Sequence, residues 1–480
     1  MRFFPVMISG ARRWEITVTR SPEVSFVKRQ CLLLAMCSLA SWQGTAFAQA
    51  PLPPTELKDY IDKPEPDYAW KQVDVTEAPA GKMYTLHLVS QKWHGEVWDH
   101  DLLVFLPKDV KPTATMVIYN TGGKAGGSAN ALLGTEIAKR VKAPVAFLFG
   151  VPKQPIPEIG GNKKEDALIA ETFVRYLDTK DGTWPLLFPM AKSVVKSMDA
   201  LQAFAKKEWH RDITGFVITG ASKRGWTSWL TAASGDKRVK AIAPMVIDTL
   251  NFQKQMPHQL KSFGRYSEQI VDYEERKLLP LPDTKVARKL WSMVDPWVYR
   301  ETLTLPKMLI HGTNDPYWSQ DSTNIYWDDL KGEKYLCYVA NAGHSLRPEE
   351  QPNVAGTSKD SFPMQGISTL AAFSRHIILE KAMPKLTWKH SDDGAMAKLA
   401  VESDTSEKGA RGWIATSATR DFRKSKWKSS DIEVISDKAG TVSVTPSATE
   451  FTAFFMEIDF DLDGLPFQLS TQIRILEPKK

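Results

Sequence analysis

Six short, continuous apolar runs separated by helix-length amphipathic stretches constrain this chain more than any other feature. They lie at 115–119, 145–149, 215–219, 239–246, 307–310 and 335–339. A strand that is apolar on both faces needs cover on both sides, which is the condition of a parallel sheet. Segments at 128–142, 164–178, 190–208, 222–233 and 319–330 have helical length and spacing. The alternation therefore predicts an α/β fold, a mostly parallel sheet with helices on both faces. Residues 251–303 interrupt it with a polar, aromatic, helix-like insertion, expected over the carboxyl edge of the sheet as a cap. Upstream, 83–89 and 97–106 read as a meander, and Pro51, Pro53, Pro54, Pro64 and Pro66 predict an irregular N-terminal extension.

A helix over 364–382, ended by Pro384, closes this body. From Lys385 onward the texture becomes Ser/Thr-rich and alternating, as in 440–444 (GTVSV) and 467–473 (FQLSTQI). Such short strands predict a small all-β sandwich. The expected organisation is a leader at 1–48, an α/β body at 49–384 and a β-sandwich at 385–480, in which no catalytic constellation is visible. With 480 residues, 42% hydrophobic and 25% charged, the chain is neither disordered nor disulfide-stapled, and no fixed-period repeat suggests a solenoid.

The leader is read from Lys28 and Arg29, an apolar run at 31–42 and the small-residue pattern Ala46-Phe47-Ala48. This is the pattern of a cleaved secretory signal, so the expected compartment is the periplasm or the exterior. The run is well short of the ~20 residues that span a bilayer, so no permanent membrane anchor is expected. Met36 before Cys37 argues against lipoprotein processing, and Arg12-Arg13 lie too far upstream for twin-arginine export. The long stretch before Lys28 leaves the start codon open. Residues 1–48 carry +4 of the net +6, so the rest is nearly neutral, and no nucleic-acid partner is expected. Cys31 and Cys37 leave with the leader. Cys337, in an apolar run, is then alone, reads as a buried small hydrophobe and excludes an intrachain disulfide.

The chemistry is read from Ser222, in the run Gly220-Ala221-Ser222-Lys223-Arg224-Gly225, directly after a strand and opening a helix. A nucleophilic serine on a strand-to-helix turn needs small neighbours, and a helix N-terminus favours developing negative charge. Arg224 stands where the usual G-x-S-x-G pattern has its last glycine. Asp315 and His344 each follow a later strand in a Gly-containing loop, giving the order Ser, Asp, His of the α/β-hydrolase fold. Asp248, after the 239–246 strand, is an alternative acid for the same histidine. The backbone N–H of Lys223 and that of Gly122, or of neighbouring Gly123, are the expected oxyanion donors. Arg224, Trp226 and Trp318 are pocket candidates, with Tyr317 beside them. His94 and His100 flank Glu96 and Asp99 at a spacing that suits no common metal site, so no metal or cofactor is expected.

Residues 219–230 (TGASKRGWTSWL), 245–251 (MVIDTLN), 311–318 (HGTNDPYW) and 413–427 (WIATSATRDFRKSKW) resemble the PhoPQ-activated pathogenicity-related protein family. The resemblance covers nearly all of the chain after the leader. It implies an exported α/β-hydrolase-like protein, linked by name to virulence and antimicrobial-peptide resistance, with no settled substrate. Lys223-Arg224 also resembles glucuronoyl esterases, which place a basic residue after the serine. That implies a negatively charged substrate; the other reading is surface cations on a first helical turn. The expectation is an exported serine esterase acting on a small acyl-bearing substrate. A small aminopeptidase of the same fold and a catalytically silent binding protein are the alternatives.

Overall fold

The computed structural model describes residues 53–348 and 363–479; the leader reading at 1–48 lies outside them. Among the described residues a nine-stranded sheet is built from β1 (Ala69–Ala78), β2 (Gly81–Trp93), β3 (Glu96–Pro107), β4 (Thr115–Asn120) and β5 (Val145–Leu148), followed by β6 (Gly215–Ala221), β7 (Val239–Met245), β8 (Lys307–Gly312) and β9 (Lys334–Val339). Their spatial order is β1-β2-β3-β5-β4-β6-β7-β8-β9. The pairs from β1 to β5 through β2 and β3 are antiparallel, and those from β5 through β4 and β6 to β9 are parallel. This is the α/β-hydrolase arrangement, and it has the expected cause. Every residue of β5 and β8 is buried, so both faces of these strands must be covered.

The strand order reverses between β4 and β6, with β5 on the far side of β4. In open α/β sheets the crevice outside the carboxyl ends at such a reversal is where ligands bind. The helix Lys223–Ala233 starts at that edge, directly after β6. The helices Phe252–Phe263, Val271–Glu275 and Lys285–Val294 fall between β7 and β8, where the insertion was expected. Asp295 ties this segment down by accepting from the backbone N–H of Asn251, Phe252 and Trp297 at 3.1, 2.8 and 2.9 Å.

Beyond the last body helix, Met364–Ile378, the chain forms a four-stranded and a five-stranded antiparallel sheet. Leu399, Val401 and Val442 from one pack with Phe454, Met456 and Ile458 from the other in a shared buried cluster. That is the face-to-face packing of a sandwich.

Three local expectations need correction. The proline-rich extension contains a helix, Glu56–Asp62, because its prolines flank rather than interrupt it, and it buries Leu57 and Ile61. The meander has an extra outer strand, β1, whose mostly exposed residues gave no apolar signal. The 319–330 helix is reduced to a 3₁₀ turn, Ser322–Ile325, where Thr323 and Asn324 spend their side chains on Asp248 and on the Ile473 carbonyl.

Candidate active site

Ser222 sits between β6 and the helix Lys223–Ala233 with φ 58° and ψ −124°, a backbone conformation that L-residues rarely adopt. The turn is held by the Ser222 N–H donating to the Met245 carbonyl at 2.9 Å and by the Trp226 N–H donating to the Ser222 carbonyl at 3.0 Å. Its tightness explains the small residues: a Cβ on Gly220 would lie 2.7 Å from the Arg224 Cβ, and one on Gly225 would lie 2.7 Å from the Ile247 side chain. Lys223 is the first helical residue, so its N–H has no intrahelical acceptor.

Asp315 and His344 meet. His344 Nδ1 lies 2.8 Å from Asp315 Oδ2, while Asp315 Oδ1 accepts from the Tyr317 N–H at 2.9 Å. Their loops are stitched together. The Asn314 N–H donates to the Ala342 carbonyl at 2.9 Å, and the Asn341 N–H donates to Thr313 Oγ1 at 2.8 Å. The C-terminal region adds a brace that the sequence did not reveal. Asn341 exchanges hydrogen bonds with the Trp427 backbone at 2.9 and 2.7 Å, and Asn314 Nδ2 donates to the Ser425 carbonyl at 2.7 Å. His344 Nε2 is buried without a hydrogen-bond partner among the described residues, so Ser222 and His344 are not joined by a hydrogen bond here.

Asp248, the alternative acid, is engaged elsewhere. It accepts from Tyr326 Oη at 2.6 Å and Thr323 Oγ1 at 2.8 Å, and its nearest histidine is His311 at 4.0 Å. Burial pushes its carboxyl above the usual carboxylate range, with His311 opposing.

A cavity of about 60 Å³ opens beside Ser222 and Lys223, under the 251–303 insertion. Its wall is almost wholly apolar: Trp226 and Trp318, both expected there, are joined by Phe252, Tyr273, Leu279 and Trp291. The insertion thus supplies half the wall, which periodicity alone could not show. Tyr317 lines the cavity and stacks on His344, with ring centroids 4.2 Å apart and planes 27° from parallel.

Arg224 does not line this cavity, contrary to expectation, and the two cations are not surface groups. Arg224 is buried and holds Glu165 through two hydrogen bonds of 2.6 and 2.7 Å, with its Nε on the Val151 carbonyl. Its guanidinium lies against Gly122, where a Cβ would come within 2.1 Å of Nη2. Lys223 Nζ lies 2.6 Å from Asp166, which also accepts from Tyr273 Oη at 3.0 Å. Burial lowers the Lys223 ammonium's pKa, but Asp166, Tyr317 and Glu165 together hold it above the ordinary value. The cation pair is therefore neutralised internally and leaves no free charge for an anionic substrate. The missed signal was the adjacent acids Glu165-Asp166 in the first turn of a helix, matching the adjacent cations.

Cys337 is a buried free thiol, pushed up to about 12 by burial. His100 is buried between Ser90 Oγ at 2.9 Å and the Phe149 carbonyl at 2.8 Å, and His94 stacks on Trp184. No cluster of metal-ligating side chains occurs among the described residues. No described helix is long and apolar enough to cross a membrane.

The model of the PhoPQ-activated pathogenicity-related protein family matches residues 57–423, from the first helix to just short of Ser425 and Trp427, which brace the Asn314 and Asn341 loops. The chain belongs to this family. It is 30% identical over 441 residues to autocrine proliferation repressor protein A of Dictyostelium discoideum, covering 85% of this chain and 86% of that protein. Two solved structures similar to this family member are distant in sequence. Acetyl xylan esterase 1 from Thermoanaerobacterium has a TM-score of 0.46 at 14% identity, over 69% of this chain and 95% of that one. A glucuronoyl esterase from Solibacter usitatus has a TM-score of 0.40 at 10% identity, over 61% and 87%. The α/β-hydrolase assignment rests on strand order and direction.

Proposed function

We propose that this protein is an exported serine hydrolase that cleaves a small acyl ester through an acyl-enzyme. The observation that carries the reading is Ser222, held at positive φ on the turn between β6 and its helix, at the mouth of an apolar, aromatic-lined cavity. Ser222 attacks the carbonyl, His344 takes the serine proton through Nε2 and returns it to the leaving group, and Asp315 fixes the tautomer by accepting from Nδ1–H. The Lys223 N–H and the N–H of Gly122 receive the oxyanion. The cavity holds about as much as a handful of water molecules, which suits a short apolar acyl group.

Export rests on the leader pattern at 1–48, and mass spectrometry of the protein from its native host should place the mature N-terminus at Gln49. A role in virulence is what the family's description suggests. A second reading, a silent binding protein on a hydrolase scaffold, is favoured by the missing Ser222–His344 hydrogen bond, although such contacts are often long before substrate binds. A fluorophosphonate probe separates the two. The first reading expects wild type to label and Ser222→Ala and His344→Ala not to. A folded wild type that hydrolyses no acyl ester and takes no label belongs to the second.

A further inference from the structure

A second cavity, of about 440 Å³, lies away from the catalytic edge, at the amino ends of β8 and β9, where the C-terminal sheets meet the body. Lys334, Tyr335 and Leu336 at the start of β9 line it. His344 lies beyond the other end of that strand, and six strand residues put roughly 20 Å between the two places. The opposite wall is the start of the C-terminal region, Lys385 to Trp388, so the cleft exists only where both parts of the chain are present.

We infer that this cleft is a binding site for a neutral saccharide. Its size falls in the range of small-ligand sites. Half-buried Trp388 leans on buried Trp327, ring centroids 5.8 Å apart and tilted by 39°, and the Lys334 ammonium covers Trp327 at 5.1 Å. Trp388 is left as an aromatic face lining the opening, of the kind on which the C–H face of a sugar ring packs. The polar groups match hydroxyls rather than a net charge. The Tyr335 hydroxyl is buried with no well-formed hydrogen bond among the described residues and only the Glu333 carboxylate beside it, a cost that a ligand hydroxyl in the cleft would relieve. The charges are already matched: Lys385 pairs with Glu333 at 3.2 Å, and Lys334 Nζ donates to the carbonyls of Trp327 and Leu330. An anionic ligand would find no free cation here. A hydroxylated ring would find an aromatic platform, an orphan phenol and a carboxylate that can accept from it.

The test is titration of the full chain with xylohexaose, chitohexaose and maltohexaose, read by tryptophan fluorescence and calorimetry. At least one should bind in the millimolar range or better. Trp388→Ala should weaken that binding about tenfold, while fluorophosphonate labelling of Ser222 in the folded variant stays at the wild-type level. Tyr335→Phe keeps the ring against Phe373 and removes only the hydroxyl, so it decides the matter if the tryptophan variant fails to fold. No binding of any of the three by wild type, or binding unchanged in Tyr335→Phe and a folded Trp388→Ala, overturns the inference. Because the sugar titration does not use Ser222, its outcome is independent of whether the serine reacts.

Discussion

The ring of Tyr317 lies stacked on the imidazole of His344, centroids 4.2 Å apart, while its hydroxyl accepts from Lys223 Nζ at 3.4 Å. One side chain thus connects His344, the general base of the proposed mechanism, to the buried Lys223–Asp166 pair beside Ser222. The stack limits rotation of an imidazole whose Nε2 has no hydrogen-bond partner among the described residues. Stacked aromatic pairs are worth about 0.5–1.5 kcal/mol beyond the area they bury. Tyr317→Ala should therefore lower ester kcat about tenfold. Tyr317→Phe, which keeps the stack and gives up a long hydrogen bond, should lie within about threefold of wild type. Equal losses in both variants would show that the hydroxyl, not the stack, matters.

Two aspartates stand at the carboxyl edge beside histidines, and they should separate cleanly in kinetics. Asp315→Asn cannot accept from His344 Nδ1–H in the required tautomer, and the corresponding change in serine proteases costs about 10⁴ in kcat. A fall of at least about 10³ with unchanged melting temperature is expected. Asp248→Asn instead disturbs acceptors for Tyr326 and Thr323 in a buried network, so it should lower the melting temperature and leave kcat of the folded fraction nearly intact. Reversed phenotypes would make Asp248 the acid.

What could be read from the chain alone follows from the range of the forces involved. The parallel strands and the order Ser222, Asp315, His344 are local signals, each an apolar run followed by a turn. β1 escaped because an edge strand with exposed residues carries no hydrophobic period. The fate of Lys223 and Arg224 escaped because their partners, Glu165 and Asp166, lie more than fifty residues away, and burial of a charge depends wholly on such a partner. The Asn341–Trp427 exchange escaped for the same reason, since asparagines in loops are ordinary until the facing backbone is known.

That long-range pairing makes its own prediction. Asp166→Ala leaves the Lys223 ammonium buried at the cavity wall with the Tyr317 hydroxyl and, as its one remaining carboxylate among the described residues, Glu165 at 3.9 Å. Removing one member of a buried pair costs about 3–5 kcal/mol. Chemical denaturation should show a loss of that order, and Asp166→Asn, which keeps the shape and an acceptor for Lys223, should lose less. The double variant Asp166→Leu with Lys223→Met should recover much of the stability, because neither charge then has to be desolvated. A double variant no more stable than Asp166→Ala would show that the ion pair is needed for packing.

Lys307, fully buried in β8, gives the clearest dependence on pH. Its Nζ donates to the Lys331 carbonyl and has no carboxylate partner among the described residues, and burial, with Lys334 nearby, lowers its pKa from 10.5 to about 7. Between those two values the unfolded chain holds a proton on this amine that the folded protein has released. Stability therefore rises with pH across pH 7 to 10.5, and below pH 7 the protonated amine is a constant burden on the fold. Lys307→Met removes the burden while keeping the length of the side chain. It should stabilise the protein by roughly 3–5 kcal/mol near pH 6, an advantage that shrinks steadily as pH approaches 10. Urea denaturation of both proteins at pH 6, 8 and 9.5 measures this directly. An advantage that does not change with pH would mean that Lys307 stays protonated in the folded protein across this range, as it would if water reached its ammonium.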